Sequence, residues 1–138
     1  MRRVRPRALL IDFTVVVPAG GRRDEEVLAF VRQVRAGGKP VGLALNATGE
    51  VGEDLVLPGL RDEFDVVLSG AQAGRHKPSR EFFAAACDAL DVPAREVFFV
   101  DKGERNVLGA RAAGLAATRW TGPQLLPYLR AVMTADAG

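Results

Sequence analysis

Four polar stations stand at the ends of short apolar runs or just beyond them, and their residue types can carry chemistry. In chain order they are an acid, an amide with a hydroxyl, a lysine and a second acid: Asp12, Asn46 with Thr48, Lys77 and Asp101. A carboxylate can act as a nucleophile or hold a cation. A lysine can neutralise an anionic group. Whether these residues work together depends on the elements that position them.

The apolar runs before these stations are typical of strands in a parallel sheet, because each run is almost entirely apolar, as strands covered on both faces should be. We predict five such strands, at residues 8–13, 41–46, 65–69, 97–101 and 115–119. In a doubly wound sheet, ligands bind at the carboxyl ends of the strands, where the strand order reverses. The polar stations are therefore expected at one edge of the sheet.

Segments of helical period separate the strands. Residues 24–36 carry an apolar face opposite arginines and end at Gly37 and Gly38, a helix stop. Further helices are predicted at 79–90, with Ser79 as the N-cap, at 104–113 and at 124–133. This alternation predicts an α/β fold, a three-layer Rossmann-like domain with a five-stranded parallel sheet and helices on both faces.

Composition indicates one globular domain. The chain has 138 residues, of which 48% are hydrophobic and 26% charged, and we predict a single core domain over 1–138 with a basic arm at 1–6 and a flexible tail at 134–138. No apolar run approaches the roughly 18 residues of a membrane span. The basic start lacks a cleavage site, so we expect a cytoplasmic protein. A net charge of +2 gives no reason to expect nucleic acid as a partner.

Several stretches then resemble one known family. His76-Lys-Pro78, Ala94-Arg-Glu-Val-Phe-Phe-Val-Asp101 and Asn106-Val-Leu-Gly-Ala-Arg-Ala-Ala-Gly114 follow each other in the second half, and Leu9-Leu-Ile-Asp-Phe-Thr14 lies near the start. In this order they resemble the motifs of the haloacid dehalogenase superfamily, over nearly the whole chain. The resemblance implies that Asp12 is the nucleophile that attacks phosphorus or carbon. It also implies that Lys77 neutralises the nucleophile and the phosphoryl charge, and that Asp101 is an acid of the fourth motif.

The chain departs from the family pattern at two of the stations that the resemblance implies. The second aspartate of the first motif, which is the general acid and base of the family's phosphatases, is replaced by Thr14. The hydroxyl residue of the second motif falls at Leu45. If that loop is shifted, phosphate would be bound by Lys77 together with three consecutive loop residues, namely Asn46, Ala47 and Thr48.

The metal-binding station is also altered. The family commonly has two successive acids in the fourth motif, which hold Mg²⁺ together with the first aspartate. Here Asp101 is followed by Lys102, which stands at the more important ligand position, where its ammonium could occupy the place of the ion. Asp12 and Asp101 remain as weak metal ligands. We therefore expect no cofactor, and Mg²⁺ only if the protein is active.

The intervals at both places where the family inserts a cap domain, residues 15–23 and 47–64, are short, so we expect a capless domain with an open site. The resemblance then implies a large substrate, or a homodimer or protein partner that covers the site. Our first hypothesis is a homologue impaired as a Mg²⁺-dependent phosphatase and acting in binding or regulation. The alternative is an active hydrolase that uses Asp12 as nucleophile, either a phosphatase or a metal-independent dehalogenase-like enzyme. Whether the protein is an enzyme stays open at this point.

Overall fold

Strands and helices alternate along the chain, as the hydrophobic pattern predicts. The computed structural model describes residues 5–18, 21–45, 59–70 and 77–134. The strands are β1 (Ala8–Asp12), β2 (Val41–Leu45), β3 (Val66–Ser69), β4 (Val97–Asp101) and β5 (Ala116–Arg119). The α-helices whose bounds lie within the described residues are α1 (Phe13–Val16), α2 (Glu25–Ala36), α3 (Arg80–Leu90), α4 (Glu104–Ala112) and α5 (Leu126–Thr134).

The strands form one parallel sheet in the order β3-β2-β1-β4-β5. The chain first builds outward from β1 through β2 and β3, and then crosses to the other side of β1 to add β4 and β5. The strand order therefore reverses between β1 and β4, which is where sheets of this kind bind ligands. Asp12 ends β1 and Asp101 ends β4, so the two acids lie on either side of this switch point.

The predicted three-layer α/β architecture is confirmed, because both faces of the sheet are covered. Side chains alternate along a strand, so Leu9 and Ile11 of β1 enter the core beneath α2 and α5. Ala8 and Leu10 enter the core beneath α3 and α4 on the other face. In that second core the rings of Phe83 and Phe99 meet edge to face, 5.1 Å apart. Packing on both faces holds the central strands in place, and therefore fixes the positions of the residues at their ends.

The first strand ends one residue earlier than predicted, for a reason that bears on the site. The carboxylate of Asp12 accepts a hydrogen bond from the backbone N–H of Thr14 at 3.0 Å, and Asp12 thereby caps α1. The chain turns into this short helix at Phe13 instead of continuing the strand. The hydrophobic pattern does not predict α1.

No cap domain is evident within the described ranges. The connection from α1 to α2 is short, and α2 leads directly into β2. The second interval at which the family inserts a cap, residues 47–64, lies mostly outside the described residues. None of the helices in the described parts of the chain combines the length and the apolar character needed to cross a membrane.

Asp65 stabilises the edge of the sheet formed by the amino-terminal ends of the strands, opposite the edge at which Asp12 and Asp101 lie. Its carboxylate accepts hydrogen bonds from the backbone N–H of Val41 at 2.8 Å and from the guanidinium of Arg35 at 3.0 and 3.2 Å. Burial by itself would raise the pKa of Asp65, but the Val41 N–H and the Arg35 charge outweigh burial, so the pKa lies below its usual value. Asp65 therefore joins α2, β2 and β3 in its ionised form.

Asp65→Asn is accordingly expected to lower the free energy of unfolding at neutral pH. A lowered pKa in the folded state means that the stabilisation is complete above the ordinary aspartate pKa of about 3.9 and is lost as the pH falls through the lowered value. Urea unfolding of the wild type and the variant should show a gap at about pH 7 that narrows towards about pH 2. The exposed Asp88→Asn serves as the control. An equal gap at both pH values would contradict this account of Asp65.

Candidate active site

Three charged side chains are buried together at the carboxyl ends of β1 and β4. Asp12, Lys77 and Asp101 are 5%, 6% and 2% exposed, and such residues are rarely buried unless they are paired. The Lys77 ammonium donates a hydrogen bond to Asp101 Oδ2 at 2.9 Å and another to Asp12 Oδ1. We call these residues the Asp12–Lys77–Asp101 triad. With two carboxylates and one ammonium, its formal charge is −1.

Thr14 holds the second oxygen of Asp12. Both the backbone N–H and the hydroxyl of Thr14 donate to Asp12 Oδ2, the N–H at 3.0 Å. The two oxygens of Asp12 are therefore engaged by different groups, Oδ1 by Lys77 and Oδ2 by Thr14. This arrangement fixes the orientation of the carboxylate and uses the Thr14 hydroxyl as a donor to it.

Asp101 is held by the start of α4. Its Oδ1 accepts the backbone N–H of Gly103 at 2.7 Å, and its Oδ2 accepts the side-chain amide of Asn106 at 3.1 Å. Its carbonyl oxygen accepts the N–H of Trp120 at 2.8 Å. Asn106 is not among the site residues predicted from the sequence. The sequence does contain a signal for this contact, because a residue in the first turn of a helix that follows a strand lies close to the end of that strand.

A close approach between α4 and the turn that carries Lys77 positions the lysine. At Gly109 of α4, an added Cβ would lie 2.5 Å from Pro78 Cβ and 2.6 Å from the Pro78 carbonyl oxygen. Only glycine permits this contact. On the other side of the turn, the Ser79 hydroxyl caps α3 by accepting the N–H of Phe82 at 3.2 Å. The Lys77 ammonium also lies 5.7 Å from the centre of the Phe99 ring.

The donor set of the described residues does not fit a Mg²⁺ site. Mg²⁺ takes oxygen ligands in octahedral geometry and is usually bound by one or two carboxylates together with waters and substrate phosphates. No group of three or more His, Cys, Asp or Glu side chains in the described ranges could hold a metal ion. Asp12 and Asp101 do lie together, but the cation between them is Lys77. Lys102, which stands at the usual ligand position, is exposed to solvent and does not lie between the acids.

The structure therefore brings together Asp12, Thr14, Lys77 and Asp101, whose catalytic roles stay predictions. The predicted phosphate-binding residues Asn46, Ala47 and Thr48 lie outside the described residues. Leu45, at the position of the family's hydroxyl residue, is the buried last residue of β2.

Cys87 is not a nucleophile of this site. It lies on the buried face of α3. Burial, with a smaller contribution from the charge of Asp88, raises its pKa to about 11. The residue is therefore a protonated thiol at neutral pH, and its role is packing.

Comparison with known proteins identifies the family. A sequence profile of the haloacid dehalogenase-like hydrolases matches residues 12–114, and the chain belongs to this family. It is 34% identical over 104 residues to a phosphoserine phosphatase of Thermus thermophilus, with 74% of this chain and 41% of that protein covered. It is 30% identical over 103 residues to a phosphoglycolate phosphatase of Yersinia pseudotuberculosis, with 74% of this chain and 44% of that protein covered. The chain thus spans less than half the length of these curated relatives.

The fold has a counterpart of similar length. An uncharacterized protein from Corynebacterium glutamicum superposes with a TM-score of 0.78 at 24% identity, covering 96% of this chain and 98% of that one. The resemblance inferred from the motifs is therefore confirmed at the level of family and of fold.

Lys77→Met is expected to destabilise the protein by about 3–5 kcal/mol at neutral pH, because it leaves buried carboxylates without their counterion. Urea unfolding at about pH 7 measures the loss. The control is Lys102→Met, an exposed lysine on the same edge, which should change stability by no more than about 0.5 kcal/mol. Equal losses for the two variants would contradict the triad.

Proposed function

We propose that this chain is a haloacid dehalogenase-like protein that is impaired as a Mg²⁺-dependent phosphatase and acts in binding or regulation. The observation that carries the proposal is the Lys77 ammonium between Asp12 and Asp101. Two acids that already share a protein cation, with their other oxygens engaged by Thr14 and Gly103, offer little to a divalent ion.

The general acid and base of a phosphatase has no substitute in the triad. A phosphatase needs a group that protonates the leaving oxygen and then activates water. Thr14 stands at the family position for that group, but an aliphatic hydroxyl does not ionise near neutral pH and cannot alternate between acid and base. Its hydrogen bond to Asp12 Oδ2 assigns it a different role, which is to orient the carboxylate.

Electrostatics also oppose phosphoryl transfer at this centre. A phosphate monoester is an anion, and the Asp12–Lys77–Asp101 triad carries a formal charge of −1, with two carboxylates against one ammonium. In a buried environment such repulsion is stronger than in water. Asp12 would have to attack an anion while its own oxygens accept hydrogen bonds that stabilise its charge.

The proposal extends to what covers the site. A capless domain would leave the carboxyl edge of the sheet open to a partner that a capped enzyme would exclude. We propose a second copy of the chain or another protein as that partner, and a cytoplasmic location. We propose neither a membrane nor a nucleic acid as a partner.

A second candidate is an active hydrolase that uses Asp12 as its nucleophile. It is favoured by the names of the curated relatives, which are a phosphoserine phosphatase and phosphoglycolate phosphatases. It is also favoured by the placement of Asp12 next to Lys77, since the lysine could neutralise charge on a phosphoryl group. A phosphatase of this kind would require Mg²⁺, whereas a dehalogenase-like enzyme would not.

Hydrolysis of p-nitrophenyl phosphate by the full chain distinguishes the two candidates. We expect the wild type and Asp12→Asn to release nitrophenol at the same background rate, with and without added Mg²⁺. Turnover that requires Mg²⁺ and is lost in Asp12→Asn would contradict the impaired phosphatase. Halide release from a 2-haloacid, lost in the same variant, would favour the dehalogenase-like enzyme instead. Circular dichroism of Asp12→Asn confirms that the variant is folded.

A further inference from the structure

The triad lacks the positive charge that an anionic ligand requires. Its two carboxylates and one ammonium sum to −1, and its residues do not fit the divalent ion that would reverse this sign. An oxyanion at the carboxyl edge of β1 and β4 must therefore be attracted by other groups of the protein. The candidates are the exposed lysine and arginine side chains next to the triad.

Two exposed cations flank the end of β4. Lys102 follows Asp101 directly, and Arg119 ends β5 in register with Asp101. The Arg119 Nε donates to the Lys102 carbonyl oxygen at 3.4 Å, so its side chain lies across the end of β4. Within the described residues neither cation forms an ion pair. Glu104 and Arg105, in the first turn of α4, carry opposite charges, so these two residues leave the charges of Lys102 and Arg119 uncompensated.

The lysine and arginine side chains at the opposite, amino-terminal edge of the sheet interact with other groups of the protein. A surface pocket of about 510 Å³ there is lined by Arg32, Arg35 and Lys39. Arg32 is paired with Glu63, Arg35 with Asp65, and the Lys39 ammonium donates to the carbonyl of Met133. Their charges hold the fold together, whereas the charges of Lys102 and Arg119 face solvent beside the triad.

We propose that Lys102 and Arg119 form a metal-independent site for the oxyanion of a phosphate-bearing ligand at the carboxyl edge of β4 and β5. The inference rests on the proposed binding function and names its ligand class. Arginine and lysine are the side chains that bind phosphate oxygens most strongly, through charge-assisted hydrogen bonds. Because both residues are exposed, binding should weaken as salt screens the charges. The protein itself thus supplies the cation at this edge.

Titration of the full chain with inorganic phosphate tests the proposal. Trp120 is the chain's one tryptophan, and its backbone N–H is bonded to Asp101, so its fluorescence reports on this edge, with calorimetry as a second readout. We expect phosphate to bind in excess EDTA, and to bind with the same affinity after Mg²⁺ replaces EDTA. Lys102→Gln should weaken binding by about tenfold or more, the effect of losing one charge-assisted hydrogen bond.

Arg95→Gln is the matched control. Arg95 is an exposed cation just before β4, at the other end of the same strand, so its loss changes the net charge equally. It should leave the phosphate affinity unchanged, and Lys102→Arg should retain binding. Unfolding midpoints confirm that all variants are folded.

Four results would overturn the inference without deciding the proposed function, which has its own test. Unchanged affinity in Lys102→Gln, or equal weakening in Arg95→Gln, would show that Lys102 is not the binding group. Absence of phosphate binding under both conditions would remove the ligand class but not a protein partner. Binding only with Mg²⁺ would show that a metal supplies the charge, and the turnover assay would then decide the proposed function separately.

Discussion

The Lys77 ammonium shared by two buried carboxylates is the interaction on which the other features of the site depend. An ionised group transferred from water to a protein interior is stable only when it is paired and hydrogen-bonded. The pairing here requires the ends of β1 and β4 to lie side by side, because Asp12 and Asp101 come from different strands. The hydrophobic cores on the two faces of the sheet hold those strands in place. Electrostatics and packing are therefore mutually dependent at the switch point of the sheet.

The surrounding contacts direct the donors towards the two acids. The Gly109 contact lets α4 approach Pro78 closely, which brings the Lys77 turn over the sheet edge. The beginning of α4 provides Asn106 and the Gly103 N–H to Asp101, and the beginning of α1 provides Thr14 to Asp12. The resulting centre has a satisfied hydrogen-bond pattern without an additional ion. This is a stable arrangement for a buried network, because a partly satisfied one costs more than an apolar core.

The sequence predicts the fold well for reasons that are visible in particular elements. β4 is almost wholly apolar between Glu96 and Asp101, so its ends and its buried position follow directly from the pattern, and α3 follows from the Ser79 cap. The short helix α1 is not predicted, because it depends on one side-chain hydrogen bond of Asp12. The pairing of Lys77 with Asp12 spans 65 positions, and only the sheet topology brings them together. Asn106 lies five positions from Asp101, in the first turn of the following helix, so its contact with Asp101 could have been predicted. The exposure of Lys102 is a tertiary property.

The central claim is that a lysine, and not a divalent ion, is the cation between Asp12 and Asp101. A high-resolution crystal structure of the full chain grown in excess Mg²⁺ measures this directly. We predict the Lys77 Nζ within hydrogen-bonding distance of both carboxylates, with no octahedral ion between them. An ion coordinated by Asp12 and Asp101, at the short metal–oxygen distances of Mg²⁺ and with Lys77 displaced, would contradict the account.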